Sequence, residues 1–252
     1  MYLLWHGTAS IEMVSEKGRL LFDPFVPVRG SKVPVSIEDF DGLTDVFVTH
    51  GHLDHIMSIP EIVRRDPRVI VRCTETPYGT LIKKGVPKGN LVLIRYGDEL
   101  MVNGFTVRVF HSKHAILPKI GSSRLAYMIR SPLRGNILML VREHLKCREN
   151  DETVLCEVEA EGRTVCVMGS LNLRDDAEYP KNADLLVLPY NGWDDNYPPA
   201  VRAIERLKPK RTALDHYDDT FPPLTMPVDL EPILKRYGGN ISAMELGKRE
   251  EV

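Results

Sequence analysis

The chain has 252 residues, of which 43% are apolar, and its 33 basic and 35 acidic residues give a formal net charge of -2. A chain of this size can bury a substantial core, and we expect a single domain over residues 1–252. The nearly balanced charge gives no overall electrostatic reason to bind nucleic acid or an anionic membrane surface, although it leaves local patches open.

Two features of the composition concern the cellular compartment. No stretch approaches the roughly 20 apolar residues that a membrane span requires, and residues 1–6 lack the basic and apolar regions of a signal peptide. The four cysteines are scattered without a C-x-x-C pair, which favours reduced thiols over a disulfide framework. We therefore expect a cytoplasmic protein with no membrane span.

Short β-branched and apolar runs dominate the first half of the chain and predict strands. These predicted strands cover residues 2–5, 10–14, 19–23, 45–49, 69–72, 91–95 and 105–110. Helices are predicted only after His55, where isoleucines recur at helical spacing, and near Thr76.

A cluster of metal-binding residue types follows the predicted strand at 45–49. The segment from Thr49 reads T-H-G-H-L-D-H, so its donors lie between that strand and a helix. The donors are His50, His52, Asp54 and His55. Imidazole nitrogen with carboxylate oxygen suits zinc, iron or manganese better than calcium or magnesium, which prefer shells of oxygen alone. The cluster therefore predicts a metal site.

The second half of the chain repeats the order of strands first and helices later. Its predicted strands cover residues 125–129, 153–159, 163–168, 184–188 and 212–214, and its predicted helices cover 199–207 and 228–236. Two such halves predict an α+β fold in which two mixed sheets pack together with helices outside, a four-layer αββα sandwich.

A metal site needs further ligands from distant parts of the chain. His114 and His216 each follow a predicted strand, in the kind of position where a sheet delivers a side chain to a loop. His111 competes with His114, because it lies at the end of the same strand. We rank His114 above His111 and leave the alternative open.

At the histidine cluster the chain resembles the metallo-β-lactamase superfamily. The signature H-x-H-x-D-H of that superfamily is present as His50, His52, Asp54 and His55. The resemblance implies an αββα sandwich with its active site at the shared edge of two sheets.

The resemblance extends beyond this signature and covers nearly the whole chain. The segments W-H-G-T-A-S-I from Trp5 and L-F-D-P from Leu21 look like the opening of one branch. That branch includes ascorbate-6-phosphate lactonase and the N-acyl phosphatidylethanolamine phospholipases. Segments that begin at Ala183 and Leu214 also resemble this branch.

The resemblance implies two sets of three metal ligands. These are His50, His52 and His114 for the first ion, and Asp54, His55 and His216 for the second. The family implies one or two Zn²⁺ ions, and Mn²⁺ or Fe²⁺ would fit the same ligands.

One ligand departs from the family pattern. The family usually has a bridging carboxylate in a Gly-Asp pair after the strand at 163–168, where this chain has Gly169 and Ser170. A neutral hydroxyl coordinates weakly, so the change removes a strong ligand and a negative charge, and it leaves open whether one or two ions bind. Asp175 or Asp176 could substitute, but we favour solvated surface carboxylates at these positions.

Residues 131–162 form a segment that is longer than the family usually has at this point. The segment mixes basic and acidic residues, and we expect an insertion. It could be an extra hairpin that lines the site entrance, or an oligomer contact. His144, which lies among charged residues, is expected to be exposed to solvent.

The ligand set predicts metal-dependent hydrolysis. A bound cation lowers the pKa of water towards about 7, so a metal-bound hydroxide would be the nucleophile. Asp54 would both ligate the metal and accept the proton of that water. We expect cleavage of a lactone, ester or phosphodiester bond in a small-molecule substrate, and whether that substrate is anionic stays open.

Two other functions stay open. A catalytically degenerate metal-binding or regulatory protein would bind metal without turnover. A di-iron oxidoreductase-like member of the fold is disfavoured by Ser170, which would weaken a pair of irons, and by the lack of a flavin-binding domain within this sequence. We also expect a homo-oligomer, as is common among soluble enzymes.

Overall fold

The computed structural model describes residues 1–115, 122–191, 196–218, 221–224 and 228–252. Within these residues the strands form two seven-stranded mixed sheets. The first sheet contains, in spatial order, β14 (Arg249–Glu251), β1 (Tyr2–Trp5), β2 (Ile11–Val14), β3 (Arg19–Phe22), β4 (Asp45–Phe47), β5 (Ile70–Cys73) and β6 (Leu91–Leu93). From β14 to β3 the strands pair antiparallel, and from β3 to β6 they pair parallel.

The second sheet repeats this mixed pattern. It contains, in spatial order, β13 (Ile241–Ala243), β12 (Arg211–Asp215), β11 (Leu185–Pro189), β10 (Arg163–Met168), β9 (Val154–Ala160), β8 (Phe105–His111) and β7 (Glu99–Val102). The strands from β13 to β10 are parallel, whereas those from β10 to β7 are antiparallel.

Seven α-helices lie within the described residues. They are α1 (Leu53–Ile56), α2 (Ile59–Arg65), α3 (Glu75–Lys83), α4 (Ser122–Arg130), α5 (Gly135–His144), α6 (Tyr197–Leu207) and α7 (Glu231–Tyr237). None of these helices has the length and apolarity that crossing a bilayer requires.

Three clusters of buried apolar side chains fill the spaces between the layers. The first cluster fills the space between the sheets and includes Trp5, Phe105 and Val187. A second joins the first sheet to α1, α2 and α3, and a third joins the second sheet to α6 and α7. Because both faces of the central strands are covered, runs such as Leu185–Pro189 are apolar and buried without alternation. The predicted α+β four-layer αββα sandwich is confirmed.

One prediction in the middle of the chain is wrong, because the predicted strand at 125–129 belongs to α4. The segment 131–162, for which an extra hairpin was one of two alternatives, instead contains α5 and the loop that leads to β9. The sequence L-A-Y-M-I at 125–129 contains residues that suit a strand, but only Met128 is buried there, at 4% exposure. An amphipathic helix with one buried position satisfies that pattern better than a buried strand does.

Candidate metal centre

The histidine cluster lies on the turn between β4 and α1, at the carboxyl end of a strand whose two neighbours run parallel to it. His52 has extended backbone angles and precedes the first residue of α1. Gly51 lies in close contact with another loop, because a Cβ at this position would be 2.0 Å from the carbonyl oxygen of Arg148. The turn therefore holds its donor side chains in a crowded, fixed arrangement.

The first group of donors consists of His50, His52 and His114. The Nε2 atom of His50 is 3.2 Å from Nδ1 of His52, and the ring centroids of His52 and His114 are 4.4 Å apart. One potential ligand atom from each residue lies within 4.8 Å of the others. His114 comes from the second sheet, just beyond β8.

The second group consists of Asp54, His55 and His216, whose potential ligand atoms also lie within 4.8 Å of one another. Asp54 Oδ2 is 3.1 Å from Nε2 of His216 and 3.4 Å from Nε2 of His55. His216 directly follows β12 and has a φ of 60°, in the left-handed region. The backbone N–H of His216 donates to the carbonyl oxygen of Thr8 at 3.0 Å, which fixes this turn.

The two groups adjoin one another. The ring centroids of His50 and His55, one from each group, are 3.8 Å apart. The structure therefore brings together all six residues that the sequence analysis singled out as two sets of three. The alternative residue His111 points elsewhere, since its ring stacks on Tyr96 and its Nε2 lies 2.7 Å from the carbonyl oxygen of Asp151.

Contacts behind the histidines orient their rings. Nδ1 of His55 is 2.8 Å from Oδ2 of Asp23, and Nδ1 of His114 is 2.7 Å from the carbonyl oxygen of Ala115. Thr49 ties Asp23 in place, because its backbone N–H and its hydroxyl donate to the two carboxylate oxygens at 2.8 and 2.6 Å. An imidazole whose Nδ1 is held by an acceptor presents its Nε2 to a metal, so these contacts favour coordination.

Burial keeps the first group in the form that binds metal. Burial, together with the neighbouring histidines, lowers the pKa of His50 well below its usual value and that of His52 to about 3. Burial also lowers the pKa of His114. Neutral imidazoles carry a free lone pair, so these three side chains are ready to coordinate a cation.

The second group carries charge. Burial raises the pKa of Asp54, but His55 and His216 outweigh it and hold that pKa well below its usual value. Burial lowers the pKa of His55, but Asp23 and Asp54 outweigh it and raise that pKa to about 10. An ionised Asp54 is an oxygen ligand, and coordination by His55 requires its Nε2 proton to leave. Five imidazoles and one carboxylate therefore fit two divalent cations such as Zn²⁺.

Ser170 lies beside this centre at the position where the family pattern has a carboxylate. Its Oγ accepts a hydrogen bond from the backbone N–H of Ala115 at 3.0 Å, so it supports the loop that carries His114. The preceding residue, Gly169, lies against Thr49, where a side chain would not fit, since a Cβ at Gly169 would be 2.5 Å from Cβ of Thr49. The neutral hydroxyl is therefore engaged with the backbone beside a metal ligand.

The two suggested substitutes for the missing carboxylate lie on the surface. Asp175 pairs with Arg202, and Asp176 pairs with Arg174. Their side chains are 86% and 70% exposed, so neither contributes to the buried centre.

A cavity of about 340 Å³ opens onto both donor groups. Beside the histidines, its wall is largely apolar and includes Leu140, Val141, Leu145, Phe221 and Leu224. Three of these residues belong to α5 and the residue after it, so this helix lines the site entrance.

Sequence reasoning missed His144 as a residue of the site. It is exposed, as expected, but it lines the cavity, and its ring centroid is 5.3 Å from that of His52. One signal was present: His144 follows Leu140 by four residues, so the two side chains share a face if the segment is helical.

Comparison with known proteins identifies the class to which this fold and centre belong. The family model described as "Beta-lactamase superfamily domain" matches residues 18–217. The chain belongs to this metallo-β-lactamase superfamily, which confirms the resemblance seen in the signature.

Particular relatives are more distant. The chain is 38% identical over 66 residues to a UPF0173 metal-dependent hydrolase of Desulfitobacterium hafniense, a match that covers 26% of this chain and 27% of that relative. It is 23% identical over 222 residues to a UPF0173 metal-dependent hydrolase of Caldivirga maquilingensis, covering 88% of this chain and 83% of the relative. The structure of Igni18, a novel metallo hydrolase from Ignicoccus hospitalis, shows the same fold, with a TM-score of 0.64, 17% identity, and coverage of 99% and 97%.

Proposed function

We propose that this protein is a metal-dependent hydrolase that cleaves an ester or lactone bond in an apolar small molecule. The convergence of six donor atoms in two adjoining groups of three, at the base of one cavity, carries this proposal. Zn²⁺ is the cation we expect, because five of the six donors are imidazoles. The relatives described as metal-dependent hydrolases support the same reaction class.

Each part of the centre has a role in this reaction. When bound, a divalent cation supplies Lewis acidity and makes a water molecule acidic enough to attack at neutral pH. Asp54 lies in the second group and within reach of the cavity, so its carboxylate both ligates and accepts the proton that leaves the attacking water. The same carboxylate then returns the proton to the departing oxygen.

The cavity wall favours the substrate class. Leu140, Val141 and Phe221 offer apolar contacts to an acyl or ring group. Asn191 also lines the cavity, and its Oδ1 has no hydrogen-bond partner among the described residues, so it can accept a bond from the substrate. The resemblance to the lactonase branch supports a lactone as the substrate. The apolar wall supports a substrate whose acyl or ring group, where it contacts these side chains, carries no charge.

Ser170 bears on the choice between ester and phosphodiester substrates. A single cation can stabilise the one oxyanion that forms in ester or lactone cleavage, whereas a phosphodiester benefits more from two closely held cations. Because Ser170 is neutral and its Oγ accepts the Ala115 N–H, it does not replace the charge of a bridging carboxylate. We therefore place esters and lactones ahead of phosphodiesters.

One experiment tests metal content and turnover together. Purified protein is loaded with Zn²⁺, dialysed, and analysed for metal per chain, then assayed with 4-nitrophenyl esters, alkyl lactones and bis(4-nitrophenyl) phosphate. We expect bound zinc and ester or lactone turnover in the natural chain, and a lower zinc content together with loss of turnover in His216→Ala, which leaves the three ligands of the first group in place. His111→Ala is the matched control, because it removes a histidine outside both groups, and it should change neither quantity.

The Ser170→Asp variant extends this test. If the neutral hydroxyl limits the centre, Ser170→Asp should raise the zinc content per chain and increase phosphodiester turnover relative to ester turnover. Bound zinc without turnover of any substrate class, in the natural chain and in Ser170→Asp, would instead mean a metal-binding protein that has lost catalysis. No bound zinc, manganese or iron would overturn the proposal.

We further propose that residues 1–252 form a single domain with an insertion at residues 131–162, which contains α5. In support, β1 pairs with β14, so strands from the two ends of the sequence share one sheet. The four cysteines are buried free thiols, which supports a reducing compartment such as the cytoplasm.

A further inference from the structure

The helices α4 and α5 expose an unusual share of apolar surface. Of the twelve large apolar side chains that are exposed within the described residues, seven lie between residues 125 and 145. Leu138, Leu145 and Ile129 are 78%, 67% and 59% exposed. Scattered apolar residues are normal on a protein surface, but a concentration on two consecutive helices marks a binding surface.

Three exposed apolar residues of α5 and the position after it lie on one face. Leu138, Val141 and Leu145 are spaced by three and then four residues, which places them on the same side of a helix. Leu140, two positions after Leu138, points to the opposite side and is buried. The helix thus has an inner side that packs on the body of the protein and an outer side that is apolar.

Specific contacts hold the inner side in place. The side-chain amide of Asn136 donates to the carbonyl oxygens of Arg29 and Pro222, both at 2.8 Å. Lys84, directly after α3, pairs with Glu143 at 2.7 Å, and Cys147 is fully buried. The outer apolar face is therefore presented to solvent by an anchored helix.

The same segment is strongly basic. Residues 122–148 contain six basic residues and one acidic residue, whereas the remainder of the chain contains 27 basic and 34 acidic residues. Arg130, Arg134, Arg142 and Arg148 are exposed, and none of them has an acidic partner within the part of the chain that the structure describes. The single acidic residue, Glu143, is already paired with Lys84 and Lys146.

We propose that α4 and α5 dock this protein on an anionic lipid surface. The apolar side chains would enter the boundary between headgroups and acyl chains, and the arginines would contact lipid phosphates, as in helices that lie in the plane of a membrane. A second copy of the chain is a poorer occupant, because a symmetric contact would place one basic segment against another. An anionic bilayer matches both the apolar and the charged character of the surface.

The docking surface adjoins the cavity. Val141 and Leu145 belong to the outer face of α5 and also line the cavity that leads to the histidines. A docked protein would open its cavity beside the lipid, where apolar substrates concentrate. The docking itself does not depend on hydrolysis, so it is tested separately.

Co-sedimentation with lipid vesicles tests the proposal. The zinc-loaded natural chain should bind vesicles of equal parts phosphatidylcholine and phosphatidylglycerol, should bind pure phosphatidylcholine much more weakly, and should be released by salt. Leu138→Glu and Arg142→Glu should each weaken binding by about tenfold. Met101→Glu and Lys88→Glu are matched controls, because they place the same charge at exposed positions outside the segment, and they should bind like the natural chain.

Three results would overturn the proposal. The folded natural chain, checked by circular dichroism, could ignore both kinds of vesicle. It could bind neutral and anionic vesicles equally, which would remove the role of the arginines. Light scattering could show a dimer that Leu138→Glu dissociates, which would mean that a second copy covers this surface.

Discussion

Asp23 is the residue on which the orientation of the second donor group most directly depends. It lies just after β3 with a φ of 45°, and one of its oxygens contacts both the Thr49 hydroxyl and Nδ1 of His55. Because His55 presents Nε2 to the centre only while Nδ1 is held, Asp23 acts on the metal without touching it.

The Asp23→Asn variant tests this dependence. Asparagine keeps the shape of the side chain and tolerates the left-handed backbone, but it replaces one of the two accepting oxygens with a donor. We expect zinc affinity to fall by about 10- to 100-fold, measured by competition with a chelating dye. Asp41→Asn, an exposed carboxylate paired with Arg65, is the control, and equal affinities in both variants would contradict this role.

At the scale of elements, most strands and the helices α2, α3, α6 and α7 could be predicted from the sequence. The donor cluster at His50–His55 could be predicted from the sequence because a β-branched apolar strand precedes it and apolar residues at helical spacing follow it. The helices α4 and α5 could not be predicted from the sequence. Leu138 and Leu145 are exposed although they are apolar, so the positions of apolar residues in this region do not follow burial. The contribution of His144 to the cavity depends on that helix and could not be predicted without it.

The contact between the histidine turn and the loop at Arg148 leads us to expect a steric effect of substitution at Gly51. Gly51→Ala would place a Cβ 2.0 Å from the carbonyl oxygen of Arg148, so one of the two segments must move. We expect a loss of about 1–3 kcal/mol in the free energy of unfolding, measured by urea denaturation. Gly79→Ala is the control: it lies inside α3 with no atom within 4 Å of the added Cβ, and it should stabilise the protein by about 0.5–1 kcal/mol.

Glu12 on β2 is expected to make a pH-dependent contribution to the free energy of unfolding. Burial raises its pKa, but hydrogen bonds from His6 and Arg19 outweigh this and lower it below the ordinary value of 4.5. Since the folded pKa lies below the unfolded one, the stabilisation is fully present above about pH 4.5 and is lost as the pH falls through the folded pKa.

We expect Glu12→Gln to lower the free energy of unfolding by about 1–3 kcal/mol at pH 7, because the charge-assisted bonds are lost. Urea denaturation at several pH values should show this difference shrinking as the pH falls below 4.5. Glu61→Gln removes an exposed ion pair with Arg64 and should change the free energy of unfolding little at any pH, because solvent screens that pair. A difference in unfolding free energy between the natural chain and Glu12→Gln that stays constant with pH would contradict the stabilising role of the ionised Glu12.

At the scale of the whole molecule, the candidate metal centre combines side chains from the two sheets. His50, His52, Asp54 and His55 follow β4 of the first sheet, whereas His114 and His216 follow β8 and β12 of the second. Each donor group therefore contains ligands from both sheets. A cation bound to either group would therefore link the first sheet to the second, and not only the loops that carry the ligands.

Removal of metal should therefore lower the stability of the entire fold. At a free zinc concentration of about 100 times Kd, binding adds about 2.7 kcal/mol, and we expect chelation to lower the Tm of the natural chain accordingly. His216→Ala should lose much of this zinc-dependent change in Tm, whereas His111→Ala should retain it. An identical Tm with and without chelator, at confirmed zinc occupancy, would contradict the link between the sheets.

The division of each donor group between the sheets also bears on the order of events in folding. His50 and His114 of the first group are 64 positions apart in the sequence, and His55 and His216 of the second are 161 apart, so neither group can form before the two sheets have packed against each other. Interactions that form after the rate-limiting step slow unfolding and leave the folding rate unchanged. If the sheets pack together after that step, a bound cation would extend the lifetime of the native state without helping the chain to reach it.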